Sequence, residues 1–568
     1  MLDKIIARPI LAISILVMLA SYLFLFQSGK LALTDPDEVF YAQTAKEMLA
    51  RGEWVTPYLY DKPQFEKPIL FYWLVETSYK IFGVNEFSSR FPSAVFGLIG
   101  IIATYLFGGL LFNKRVGLIA ALILSTNVEY IILSRACVTD MVFGTFILLG
   151  FLSFFYGYLK ERGYFYLLSS AFFGAAVLTK GPVAVILGGA IILSTFLFNK
   201  DRKLFRKIPL IQSILVFLAL ALPWYLAVYK LHGRAFVDAF LGFHNVTRFL
   251  EAEHKIGGQF YYNIPVVFGG LFPWSAFLPF GLWHAFKKVR SPQSIVHSPQ
   301  FKAPSPKPQA PSYIFLLAWF FVIFIFFSIS STKLPTYIFP CFPSLALIIA
   351  VLWDSLLGKD ASQGVIRGMK FSYYLLLVAI TIGAAGLYLF INKDLEYRFI
   401  MVDSVVAGLF FIFGMALSFI AFRARRYAAS FFLIIYSVVL FIYPLSRLVL
   451  PSVEIYETSK EISRQVLVRM KPDERIGCER DYLAGVAFYT DKVPASVDKH
   501  HLLTQFLSSD KRVWCVMKEK NFHQLYELND KPYYTKPSYL VYRLGKKCIF
   551  TNKIPDDGLY LLKKERAR

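Results

Sequence analysis

Thirteen apolar stretches punctuate this chain, at 8–28, 91–112, 115–133, 138–159, 164–179, 181–198, 208–229, 264–286, 313–330, 335–353, 371–391, 403–422 and 427–447. In hydrocarbon every backbone N–H and C=O must be satisfied inside the segment, so a span is a helix of roughly 20 apolar residues. The pattern predicts a mainly α polytopic membrane protein with about 13 transmembrane helices. The composition agrees: 56% of the 568 residues are hydrophobic, 57 of them Phe, more apolar surface than a soluble fold needs. The first stretch carries no convincing small-residue cleavage site and reads as a retained span.

The net charge of +23 suggests a nucleic-acid partner until its placement is read. The basic runs "NKR" (113–115), "KER" (160–162), "NKDRKLFRK" (199–207), "KKVR" (287–290) and "RARR" (423–426) all fall in alternate loops between apolar stretches. That is the positive-inside pattern, with the N-terminus in the cytoplasm and anionic lipid, not nucleic acid, as the partner of the charge. The inner loop 287–312 contains "APSPKPQAPS", which reads as extended chain. An odd number of spans places residues 451–568 outside. There "RIGCE" and "KRVWCVM" read as buried strands, and "TSKEISRQVLVRM" and "NFHQLYELN" as helices. The chain thus divides into a membrane domain, 1–450, with a first outer loop at 31–87, and a small outer α/β domain, 451–568. Cys478, Cys515 and Cys548 lie in the second domain; three thiols cannot all pair internally, and no disulfide is assigned.

The outer loops hold the candidate chemistry. In "LALTDPDEVFYAQTAKEML" (31–49), Asp35 reads as a helix N-cap, Pro36 as the first helical residue and Glu38 as the returning half of a capping box. Tyr41, Ala45 and Met48 then follow at helical spacing, describing an amphipathic helix on the membrane surface, with a second at 69–82. This scheme leaves Asp37 without a partner, and it becomes the candidate catalyst. Cations are disfavoured in outer segments, so Lys67, Arg135, Lys180 and Lys333 need a reason: they suit an anionic headgroup, above all a phosphate, or else they are interfacial snorkellers. Asp140 opens the fourth stretch, where the helix dipole alone would favour it. Glu129 is costly to bury and reads as facing a polar cavity. His244 and Arg248 lie in the second long outer loop, 230–263.

The pieces "PDEVFYAQTAKEML", "FEKPILFYW", "LTKG", "ALPWYLAV", "FHNVTRF" and "KLPTYIFPC", in that order, resemble the lipid A aminoarabinose transferase family, within the membrane glycosyltransferases of the C-type fold that include protein O-mannosyltransferases. The likeness covers most of residues 1–350. It implies an inverting glycosyltransferase of the bacterial inner membrane. Such an enzyme moves 4-amino-4-deoxy-L-arabinose from undecaprenyl phosphate to a lipid A phosphate on the periplasmic face. By the resemblance, Asp37, Glu38 and Asp140 are the catalytic acids. Tyr41, Glu66, Lys67, Lys180, His244, Lys333 and Tyr337 bind substrate, with Lys67 at the donor phosphate. No cofactor is required and no metal is expected; the partners are the polyprenyl-phosphate sugar, a lipid A or other glycan acceptor, and membrane lipid, and a monomer is expected. One position departs: the family typically has Arg before the tyrosine, where this chain has Phe40. A different polyprenyl-phosphate sugar, a protein acceptor, or a lipid flippase are the competing readings. Against the last, the unusual charges gather at the outer surface instead of the bilayer midplane, and no internal repeat is visible.

Overall fold

The computed structural model describes residues 5–199, 208–247, 259–290, 310–358, 361–393, 399–522 and 538–555. Each of the thirteen apolar stretches falls on helix: α1 (Pro9–Leu25), then, after two outer helices α2 (Asp37–Arg51) and α3 (Leu70–Phe82), α4 (Glu86–Leu111), the broken pair α5 (Lys114–Ser125) and α6 (Val128–Ser134), α7 (Thr139–Lys160), α8 (Tyr164–Lys180), α9 (Val183–Asn199), α10 (Leu210–His232), and onward to Tyr427–Pro444. Among the described residues, eight helices are long and apolar enough to cross a membrane, or ten if each of two bent pairs counts as one. Those pairs correct the expectation of uniform spans. The stretch at 115–133 turns by 68° between α5 and α6, and the stretch at 264–286 turns by 112° between Asn263–Gly270 and Trp274–Arg290. At the first break, Asn127 caps α6 by accepting from Tyr130 N at 2.9 Å, and Thr126 Oγ1 accepts from the buried Trp274 indole of the second break at 2.9 Å. The two interruptions therefore satisfy each other inside the protein, the condition for irregular backbone at membrane depth.

Helices α2 and α3 form where the sequence predicts them, but α2 begins differently. Tyr41, Ala45 and Met48 of α2 are buried, and the helix stops at Gly52, whose φ of +63° is the left-handed C-cap conformation that suits glycine. Asp35 is not its N-cap: Pro36 holds that position and no side-chain cap is made. Glu38 does reach back, accepting from Thr34 N at 3.0 Å, but Asp35 is drawn away to Ser459 at 2.6 Å. A tertiary partner has taken the side chain that local rules assign to the helix end. α3 packs on α2 through Tyr79, whose hydroxyl donates to Ala42 O at 3.2 Å and contacts Ser89 Oγ at 2.7 Å. A shared apolar core that includes Leu33, Val39, Ile69, Phe71, Tyr72 and Val75 lies between them.

After the last apolar helix the chain builds a five-stranded mixed sheet of order β4-β3-β5-β7-β6, the strands numbered after a small hairpin (β1 Tyr58–Leu59, β2 Lys62–Pro63) between α2 and α3. The strands are β3 (Arg475–Cys478), β4 (Ala495–Ser496), β5 (Val513–Lys518), β6 (Tyr539–Leu544) and β7 (Lys547–Thr551), with β3–β5 parallel and β5–β7 antiparallel. Both strands expected from the sequence occur, and so does the helix at Lys460–Arg469. Most of "NFHQLYELN" lies outside the described residues. Cys478, Cys515 and Cys548 are all buried as free thiols, acting as small apolar side chains in the sheet core. The helix Arg480–Thr490 of this region packs directly on α2, so the sheet region sits over the segment between α1 and α4.

Candidate active site

Four elements deliver charge to one place. Asp37 is the first residue of α2 and is exposed. Glu66 and Lys67 lie in the turn just before α3, paired at 3.6 Å. Asp140 sits in the first turn of α7 and Lys180 is the last residue of α8. Adjacent helix ends of opposite polarity favour this arrangement: a carboxylate at an N-terminus, an ammonium at a C-terminus. Lys180 Nζ pairs with Asp140 Oδ1, each side chain only about a tenth exposed. The same ammonium lies 4.9 Å from the centre of the Tyr337 ring and 5.5 Å from that of Phe143, a cation–π setting that holds it in position. Asp37 feels all of these acids. Protein packed around its carboxyl strips hydration and raises its pKa, Asp140 and Glu66 raise it further, and Lys67 opposes them. Tyr41 borders the same group of acids, buried edge-on to Phe71 at 5.5 Å.

Glu38, expected as a catalytic partner, is placed otherwise. It is buried and held by Arg90, whose Nε and Nη2 donate to its two oxygens at 2.8 and 2.7 Å. Cys137 N donates to Oε1 at 2.8 Å. Arg90 continues to the carbonyls of Ser28, Leu31 and Ala32, each at 2.6 Å. Burial alone would raise the Glu38 pKa, but the Arg90 charge and these hydrogen bonds outweigh it and hold the group below its ordinary range. Glu38 is thus a fixed carboxylate that ties α2 to α4 and to the turn before α7, and leaves Asp37 as the acid at the helix start. Arg90 was not legible as a functional residue. Its one signal is a charge at the edge of an apolar stretch, which requires a buried partner.

The remaining expected residues are dispersed. Lys333 is buried, its ammonium donating to Ser330 O of its own loop at 2.7 Å. Tyr337, four residues on, is the part of that segment that reaches Lys180. Arg135 donates to Leu23 O at 2.9 Å, bracing α1. Glu129 is buried in the first turn of α6. The side chain of His244 and all of Arg248 lie outside the described residues. A different histidine reaches the segment between α2 and α3: His232, at the end of α10, contacts Thr56 Oγ1 at 2.9 Å and the Phe65 ring at 5.0 Å.

Two acid–cation pairs flanking an exposed aspartate, at the rim of a helical bundle, suit a phosphate-bearing substrate. Residues 66–226 match the family model of dolichyl-phosphate-mannose-protein mannosyltransferase. An undecaprenyl phosphate-alpha-4-amino-4-deoxy-L-arabinose arabinosyl transferase of Photorhabdus laumondii is 30% identical over 331 residues, 57% of this chain and 56% of that protein. The alignment spans little more than half the length of that transferase. An uncharacterized protein of Aquifex aeolicus is 27% identical over 477 residues, 83% of this chain and 85% of its own. The crystal structure of ArnT from Cupriavidus metallidurans bound to undecaprenyl phosphate superposes over 95% of this chain and 98% of that one, with a TM-score of 0.76 at 21% identity. The chain resembles the arabinosyl transferases in sequence and shares the ArnT fold. The mannosyltransferase model begins at Glu66 and so takes in Lys67, Asp140 and Lys180, whereas Asp37 and Glu38 precede it. In this chain α2, the turn before α3, the ends of α7 and α8, and the Tyr337 turn bring these acids and cations together.

Proposed function

We propose that this protein is an inverting glycosyltransferase that moves 4-amino-4-deoxy-L-arabinose from undecaprenyl phosphate to a phosphate of lipid A on the periplasmic face of the inner membrane. The observation that carries the proposal is the position of Asp37 between the Glu66–Lys67 and Asp140–Lys180 pairs, on a fold shared with a protein that binds undecaprenyl phosphate. Thirteen spans, counting the bent pairs and the shorter helices α1, α8 and α9, an N-terminus in the cytoplasm and a periplasmic sheet domain at 451–568 belong to the same reading. The basic inner loops support it.

In this reaction an acceptor phosphate oxygen attacks the anomeric carbon from the face opposite the donor phosphate. The bond from that carbon to the donor oxygen breaks, the new glycosidic bond forms, and undecaprenyl phosphate leaves as a monoester carrying the electron pair. The acceptor is already ionised at neutral pH, so positioning and charge stabilisation dominate. Lys67 holds the departing phosphate, whose negative charge grows as the bond breaks. Lys180, oriented by Asp140 and Tyr337, holds the acceptor. Asp37 faces the positive charge that develops on the sugar ring, and its raised pKa lets it accept a proton from an acceptor that arrives protonated.

Titration of undecaprenyl phosphate into the purified protein in nanodiscs tests the donor half. The wild type is expected to bind, and Lys67→Ala to bind about tenfold or more weakly, since a charge-assisted contact contributes roughly 1.5–3 kcal/mol. A folded Lys67→Ala variant with unchanged affinity moves the donor phosphate to Lys180. A wild type that does not bind undecaprenyl phosphate contradicts the proposal.

A further inference from the structure

Asp35 stands two residues before Asp37, in the link between α1 and α2, and its surroundings belong to the other end of the chain. Ser459 Oγ donates to its Oδ2 at 2.6 Å. Its Oδ1 is buried with no hydrogen-bond partner. The backbone of Gly485, in the helix Arg480–Thr490, is packed so closely on the carboxyl that an added methyl would collide with Oδ1 and come within 2.6 Å of Ser459 Cβ. Lys547, at the start of β7, is buried with its ammonium donating to Thr458 O at 2.7 Å, and its charge acts on Asp35. Contacts on either side repeat the attachment: Leu33 N donates to Tyr489 Oη at 2.8 Å, and Lys46 Nζ donates to Phe488 O at 2.8 Å. The start of α2 is therefore gripped from before Asp37 and from beyond it by one element of the sheet domain.

We propose that Asp35 is a positioning residue: caged by Ser459, Gly485 and Lys547, it makes the sheet domain the template that fixes where Asp37 stands relative to Lys67 and Lys180. The inference rests on the reading of Asp37 as the acid of the transfer reaction. Glu38 and Arg90 anchor α2 from the membrane side; Asp35 anchors it from the opposite side, so the helix start is held between the two halves of the molecule. The contact lies two residues from Asp37, so losing it displaces the start of α2 where the reacting group stands. Displacements of about 1 Å in such a group are enough to cost roughly a hundredfold in rate.

The grip also responds to pH. The groups that face Asp35 are Lys547, Asp481, Cys478, Tyr60 and Tyr482. Burial pushes the carboxyl up to about 7, with the Ser459 hydrogen bond and Lys547 opposing and Asp481 adding to the rise. The assembled contact thus favours the neutral acid. The penalty for burying its charge builds as pH rises from the ordinary carboxylate range to about 7 and is fully present above it.

Turnover with undecaprenyl phosphate-linked aminoarabinose and lipid A, normalised to folded protein, tests the proposal. Asp35→Ala is expected to lower kcat about tenfold with donor KM unchanged, the signature of lost positioning. Gly485→Ala, made from the far domain, is expected to do the same. Wild-type kcat is expected to fall as pH rises through about 7, and Asp35→Asn, which mimics the neutral acid, is expected to restore kcat and not to show that fall. Wild-type kcat and pH profile in both folded Asp35→Ala and folded Gly485→Ala would overturn it. If the wild type itself shows no turnover, the functional reading fails, and the grip is then read by limited proteolysis: Asp35→Ala should open 31–51 to cleavage, and an unchanged pattern overturns the inference separately.

Discussion

Asp37→Asn is expected to leave the protein folded and able to bind undecaprenyl phosphate, and to lower transfer by about 10²–10⁴-fold, the range of a positioned proton-transfer or charge-stabilising group. The structure sharpens this expectation. Glu38, the neighbouring acid, is saturated by two Arg90 nitrogens and two backbone amides. Asp140 is engaged by Lys180. Asp37 as a residue is exposed, but its carboxyl is partly packed, and that packing and the neighbouring acids raise its pKa. The amide removes its charge and its basicity while keeping its shape, so the loss should appear in kcat. Single-turnover assays on variants with matched donor affinity check it. Turnover within a few-fold of wild type would shift the catalytic role to Asp140.

Arg90→Ala is expected to be the most damaging single substitution outside the acid cluster. It leaves Glu38 buried and charged, and it leaves the Ser28, Leu31 and Ala32 carbonyls without their donor. Breaking a buried ion pair by removing one partner costs about 3–5 kcal/mol. Because Glu38 titrates below its ordinary range, the pair contributes at neutral pH; the contribution is lost only as pH falls through that depressed value. The measurement is thermal unfolding of the purified variant with a parallel transfer assay. Arg90→Lys is not expected to rescue, because one ammonium cannot reproduce the two-nitrogen fork on Glu38 and the three carbonyl contacts. A variant of wild-type stability and rate would show that α2 is held by other contacts.

Helices and strands were legible because their signals are local. Length and apolarity located the membrane-forming stretches, short apolar runs located β3 and β5, and the period of Tyr41, Ala45 and Met48 located the buried face of α2. What escaped was decided by partners distant in sequence. "DPDE" satisfies the rules for a capped helix start, where replacing the cap, Asp35→Ala, would cost the helix about 1 kcal/mol. Ser459 is 424 residues away, and its hydrogen bond moves the role of Asp35 from the helix end to a contact between domains. Residue types were readable at Asp140 and Lys180, but not their pairing across 40 residues. Lys333 resembled its fellow cations in sequence, and only its loop geometry turns it onto Ser330. Arg90 falls just before the apolar stretch drawn from residue 91, so the charge that most needs a partner stands outside the span. The two bends escaped because hydropathy averages over a break that Asn127 and Trp274 make tolerable.

The most direct test of the central claim is a mass measurement of the lipid product. Purified wild-type protein and Asp37→Asn are reconstituted separately in nanodiscs with undecaprenyl phosphate-linked 4-amino-4-deoxy-L-arabinose and lipid A. The account predicts that wild type converts lipid A to a species heavier by one aminoarabinose residue, attached at a phosphate with the anomeric centre inverted, and releases undecaprenyl phosphate in equal amount, while Asp37→Asn leaves both substrates intact. Unmodified lipid A with the wild type, or transfer that proceeds equally well in Asp37→Asn, would contradict it.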